Sequence, residues 1–200
     1  MNQTVTQKNR RIPWLWLLVS AGVIVIDQLT KWLCVTYLKP VDSVTLIPSF
    51  LRLTYVENRG AAFGSFTEHR WVFMVISTVA IIGVTVYLLG FCEQNRLLRC
   101  SLALVIGGGI GNMIDRIVLG YVIDFIDFCG IWAYVFNGAD SAVCIGAGLM
   151  LLYVILEIVR EARAAKQPTA EPSAVEAELD AEAPTEAAEA PDAPDEDDHE

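Results

Sequence analysis

The side chains in this chain best equipped for chemistry are aspartates at 115, 124, 127 and 140, and their surroundings make carboxylates costly. The stretch "GGGIGNMIDRIVLGYVIDFIDF", residues 107–128, carries three of them among apolar residues, and Asp140 follows within "FNGADS". Two carboxylates brought together cannot readily both ionise. One keeps a proton while the other acts as base, and the pair titrates as a unit. Such a pair activates water against a peptide carbonyl and protonates the leaving amine. The same acids would also serve as a buried network that stabilises helix packing, or as a proton relay. Spacing alone leaves these readings open.

Other reactive equipment is scarce. There are two histidines, His69 and His199, no HExxH, and no cluster able to supply the usual zinc ligands. A Ser-His-Asp triad would have to use His69, and no serine stands in a GxSxG. Gly107, Gly108, Gly109 and Gly111 lack the Lys-Ser/Thr and the βαβ context of a phosphate loop. Gly107 and Gly111 instead have the spacing of close helix packing in lipid. The five cysteines are scattered, odd in number and without a CxxC pair, which favours packing over disulfide or metal roles.

The elements that must position the acids are membrane spans. Hydrophobic residues are 54% of the 200, and the mean hydropathy is +0.45. Four apolar runs, 13–38, 71–91, 97–119 and 139–159, are each about 20 residues or more, enough to cross a ~30 Å hydrocarbon core. The first run continues well past Gly22, longer than a cleaved signal core needs, so it reads as a retained helix. The formal charge of −10 is concentrated at one end: all 14 bases but only 11 of the 24 acids precede Gln167. The expected organisation is an N-terminal segment 1–12, a membrane domain 13–166, and a disordered acidic tail 167–200. Bases at Lys8, Arg10 and Arg11, at Arg96 and Arg99, and at Arg160, Arg163 and Lys166 place both termini in the cytoplasm.

Depth then sorts the acids. Asp115 lies roughly 27 Å along the third helix, near the outer surface. Gly120 permits a turn, Asp124 follows it, and Asp140 stands in the first turn of the fourth helix. These three converge at the outer interface. Asp27 and Lys31, four apart in "DQLTK", predict an ion pair on one helix face. Arg116 beside Asp115, with Asn112 one turn earlier, makes Asp115 the best compensated of the acids. Asp124 has no basic neighbour, so desolvation should raise its pKa. Asp127 is expected to face water. Between the first two helices, "VTLIPSFLRLTYVENRGAAFG" alternates around Pro48-Ser49 and reads as a β-hairpin, within an outer region of about 40–68. The fold class expected is all-α integral membrane, with four spans and this small hairpin.

The motifs "DQLTK" at 27–31, "NRGAAF" at 58–63, "GGGIGNMIDR" at 107–116, "VIDF" at 122–125 and "FNGADS" at 136–141 occur in this order along one four-helix chain. In them the chain resembles the lipoprotein signal peptidases (signal peptidase II), aspartyl proteases of the bacterial plasma membrane. The resemblance implies cleavage of prolipoproteins before a diacylglyceryl-bearing cysteine, with no metal or organic cofactor. It implies Asp124 and Asp140 as the catalytic pair. Asn58, Gly60, Asn112, Arg116, Asn137 and Ala139 would line the substrate site, and Asp27, Lys31 and Asp115 would support it. The expected partners are the lipid-modified substrate, membrane lipids and a globomycin-type inhibitor, with no nucleic acid and a monomeric chain. Gly138 stands where the family pattern carries an aliphatic residue.

Overall fold

The computed structural model describes residues 13–60, 70–92 and 95–165. The N-terminal segment 1–12, the 61–69 part of the loop with His69, and the tail 167–200 lie outside the described residues. Four helices are long and apolar enough to cross a membrane. Helix α1 is Trp16–Leu33, continued by a wider turn Cys34–Leu38; α2 is Arg70–Val86, continued by Tyr87–Phe91; α3 is Arg96–Val118; α4 is Gly138–Ala165. The compact unit ends at Ile158, and the last turns of α4 belong to a second unit.

Helix α3 is the central one, and its three consecutive glycines explain how. Successive helix residues point about 100° apart. A Cβ at Gly107 would meet Val23 Cβ and Ser20 O of α1 at 2.7 and 2.8 Å. One at Gly108 would collide with the Ala139 carbonyl oxygen and Val143 of α4, and one at Gly109 would press on Ile81 of α2 at 3.0 Å. Each glycine therefore admits a different neighbour. Gly111, one turn after Gly107, again faces α1, with Asp27 Oδ2 2.6 Å from the place of its missing Cβ. Asn95 caps the start of α3, its side chain accepting from the Leu97 and Leu98 amides. The outward faces of α1, α2 and α4 expose Leu18, Val25, Ile76, Val79, Leu151 and Ile155, the surface a bilayer covers.

The all-α expectation needs correction. A four-stranded antiparallel sheet, ordered β1-β2-β3-β4, packs at the bundle end where α1 and α3 stop and α4 begins. Strands β1 (Ser43–Ile47) and β2 (Leu51–Asn58) form a hairpin between α1 and α2. Strands β3 (Val122–Phe128) and β4 (Val135–Phe136) come from the α3–α4 connection. Val122–Phe128 alternates side-chain direction like any strand, but its mostly apolar faces hide the period from a polarity count. Gly120, at φ 83°, makes the sharp exit from α3, its amide returning to the Asp115 carbonyl at 3.2 Å.

Gly108→Val should open the α3–α4 contact, because the Ala139 backbone cannot yield as a side chain would. The expected cost is about 1–3 kcal/mol, read as a lower melting temperature in detergent. Gly22→Ala, where a Cβ has open space, should leave it unchanged.

Candidate active site

The site rests on a charged cluster buried beneath it. Lys31 Nζ meets Asp27 Oδ2 and Asp115 Oδ2 at 2.9 Å each, and donates to Asn112 Oδ1 at 3.0 Å. Asp27, Lys31 and Asp115 have side chains no more than 3% exposed. Burying such charges costs several kcal/mol per ion unless every donor and acceptor is matched. Here they are matched. Asp27 Oδ1 accepts the Ala139 amide at 2.7 Å, and Asp115 Oδ2 accepts the Ile123 amide at 3.1 Å. Gln28 Nε2 donates to Asp115 Oδ1 at 2.9 Å and to the Gly111 carbonyl at 3.2 Å. The cluster therefore ties α1 to α3, to the start of β3 and to the start of α4.

Those two starts carry Asp124 and Asp140, the candidate pair. Asp124, one residue after Ile123, accepts Asn58 Nδ2 on Oδ2 at 2.9 Å and Asn137 Nδ2 on Oδ1 at 2.6 Å. Asp140, one residue after Ala139, accepts Asn112 Nδ2 on Oδ1 at 2.7 Å. Asn137 Nδ2 also reaches Asn112 Oδ1 at 3.0 Å, so two amides connect the carboxylates. Asp124 and Asp140 both line one cavity of about 750 Å³. Burial pushes the Asp124 carboxyl up to about 6 from its ordinary 3.8; the Asn58 hydrogen bond opposes this, and the nearby charge of Asp140 adds to it.

The cavity separates the sequence candidates into two groups. Asn58, Gly60, Arg116, Asp124 and Asp140 line it. Asn112, Asn137 and Ala139 lie behind it, 8%, 0% and 0% exposed. The first two grip the carboxylates, and the Ala139 amide grips Asp27, so direct substrate contact is not what the structure gives these three. Arg116 does not compensate Asp115, because adjacent helix residues point apart. Its Nη1 donates to the Asn112 carbonyl at 3.3 Å, while Lys31 neutralises Asp115 from another helix. Asp127 is buried rather than facing water. It accepts Arg52 Nη2 at 2.6 Å across the β2–β3 ladder, where the two residues are paired.

Three contributions escaped sequence reasoning. Gln28 lies inside a quoted motif, but nothing in its type marked it as a bridge. The cavity wall formed by Trp132, Tyr134 and Phe136 has a signal in its strict alternation, W-x-Y-x-F. Arg59, next to Asn58, is held over the Tyr121 ring at 5.5 Å and against Glu57 at 3.0 Å. That guanidinium keeps the Glu57 carboxyl below its ordinary range.

Residues 19–156 match the family described as Signal peptidase (SPase) II. The chain is 38% identical over 156 residues to the lipoprotein signal peptidase of Halalkalibacterium halodurans, covering 76% of this chain and 97% of that protein. It is 44% identical over 140 residues to the lipoprotein signal peptidase of Caldanaerobacter subterraneus subsp. tengcongensis, covering 70% and 94%. Two solved bacterial membrane enzyme structures resemble it with TM-scores of 0.66 and 0.65, at 29% and 32% identity. They cover 77% and 70% of this chain, and 92% of each solved chain is matched.

Asp27→Leu should leave the Ala139 amide and one Lys31 proton unpaired in a buried place. The expected loss is about 3–5 kcal/mol, measured as a fall in melting temperature and in membrane abundance.

Proposed function

The chain belongs to the signal peptidase II family and cleaves signal peptides from lipoproteins, and on that premise we propose that Asp124 and Asp140 are its catalytic pair. The observation that carries this reading is their arrival from different elements, β3 and α4, at one cavity, with amides joining them from behind. The pair shares a proton and directs water at the scissile carbonyl, the chemistry of an aspartic endopeptidase. No metal or organic cofactor takes part.

The substrate is a prolipoprotein whose cysteine already carries diacylglyceryl, and the bond cut is the one before that cysteine. Asn58, Gly60 and Arg116, on the cavity wall, position its backbone and polar head region. Its acyl chains lie against the apolar helix faces, which is the physical reason for a site at the membrane interface. Both termini are cytoplasmic and the cavity opens on the outer face of the bacterial plasma membrane, in keeping with the bases flanking the spans. The chain works as a monomer, and a globomycin-type peptide blocks the cavity.

Purified protein incubated with a diacylglyceryl-modified peptide should yield the shortened product. Asp124→Asn and Asp140→Asn should each lower kcat by about 10³-fold or more at unchanged abundance, measured by product mass. Asp115→Asn should chiefly lower stability; if it alone abolished turnover at equal abundance, the pair has been misassigned. With Asp124 pushed up to about 6, acidification protonates the base. The rate should therefore fall as pH drops through about 6, and fall again at higher pH where the shared proton is lost, in a pH profile of kcat.

A further inference from the structure

A second cavity carries on from the first along the helices. It is an apolar groove of about 230 Å³ between α2 and α3, lined by Thr78, Ile81 and Ile82 on one helix and by Ile110, Met113 and Ile117 on the other. Along α3 it runs from Ile117, at the end nearer the carboxylates, to Ile110. That is about 10 Å of helix at a rise of about 1.5 Å per residue.

The residues explain why a gap is left there. At the foot of the groove Ile81 comes within 3.0 Å of where a Gly109 Cβ would stand, so the two helices meet closely. One turn nearer the carboxylates α2 presents Thr78, where the turns on either side carry Met74 and Ile82. A threonine is too short to fill the space left between those longer side chains. Its hydroxyl brings no unmet polar group into the groove, because it donates to the Met74 carbonyl at 2.7 Å.

The two cavities share their walls. Met74, four residues before Thr78, and Arg116, three after Met113, both line the cavity that holds Asp124 and Asp140. A chain that leaves the carboxylates between Met74 and Arg116 therefore reaches the groove within one helical turn on either helix.

Granted the diacylglyceryl-modified substrate proposed above, we propose that the α2–α3 groove takes one of its acyl chains and that Thr78 keeps the groove open. Lipid tails gain little by exchanging one apolar surrounding for another, so the contribution of the groove is orientation. A chain laid between α2 and α3 holds the glyceryl group beside Met74 and Arg116. That fixes how far the modified cysteine stands from the two acids, and a small displacement there costs rate steeply. Thr78 is thus a determinant of acyl-chain recognition and touches no reacting atom.

A substrate peptide with a diazirine in the middle of one palmitoyl chain tests the placement on the wild-type protein in phospholipid nanodiscs. Irradiation should label residues 78–82 and 110–117, and excess unlabelled dipalmitoylglyceryl peptide should suppress the labelling. Label placed instead on α4 around Val143 and Cys144, the other apolar side of the active-site cavity, overturns the proposal. So does label that the unlabelled peptide fails to suppress, the mark of an ordinary bilayer lipid. The part played by Thr78 is read from two substrates, a dipalmitoylglyceryl peptide and a dibutyrylglyceryl one whose chains are too short to fill the groove. Thr78→Phe should lower the ratio of their kcat/KM values, long over short, about tenfold. Val79→Phe, on the neighbouring exposed position, should leave that ratio unchanged. An unchanged ratio in Thr78→Phe, or an equal fall in both variants, overturns the role of Thr78. Failure of the substrate reading itself shows differently, as a wild-type protein that cleaves neither peptide.

Discussion

One buried ammonium holds the working end of this molecule together. Lys31 spends its three N–H donors on Asp27, Asp115 and Asn112, within its own helix and on α3. A charge this far from water is tolerable only because its partners are complete, and their remaining lone pairs are in turn filled by Gln28 and by two backbone amides. Those amides belong to Ile123 and Ala139, the residues just before Asp124 and Asp140. The buried cluster thus sets the position of the proposed pair, Asp124 and Asp140, through a single covalent step along the chain in each case.

The close approach of helices that this requires is written into α3. Three adjacent glycines give three neighbours access to its backbone, and Gly111 makes room for the Asp27 carboxylate itself. Without a hydrophobic driving force between spans in lipid, such close packing and the polar contacts it permits are what hold helices in register. The glycine face and the Lys31 cluster depend on each other. Bulk at Gly111 would displace Asp27, and loss of Asp27 would free the start of α4.

The sheet supplies the other half of the site. β2 ends at Asn58 and β3 begins beside Asp124, and the ladder between them brings an amide to a carboxylate 66 residues away. Arg52 and Asp127 pair lower on the same ladder, which pins its register where it flanks the site. The aromatic chain Phe50–Phe128–Phe136–Trp132 runs across the sheet with ring centroids 6.0 to 6.3 Å apart and stiffens the cavity wall.

The four spans, the Asp27–Lys31 pair and the convergence of Asp115, Asp124 and Asp140 at one end of the bundle were legible in the residues, because apolar length, i,i+4 spacing and the cost of a carboxylate in lipid are local properties. Five motifs in order carried the family resemblance. What they could not carry was partnership across the chain. Adjacency made Arg116 look like the companion of Asp115, yet neighbours on a helix diverge, and the true companion lies 84 positions back in Lys31. Asp127 looked solvated because its base, Arg52, is on another strand. Strand β3 hid in an apolar run whose period is visible only once β2 lies beside it. Residue type and spacing determined which carboxylates reach one end of the bundle; only the tertiary structure decided which face a cavity and which hold them from behind, because hydrogen-bond direction is a relation between elements and not a property of either one.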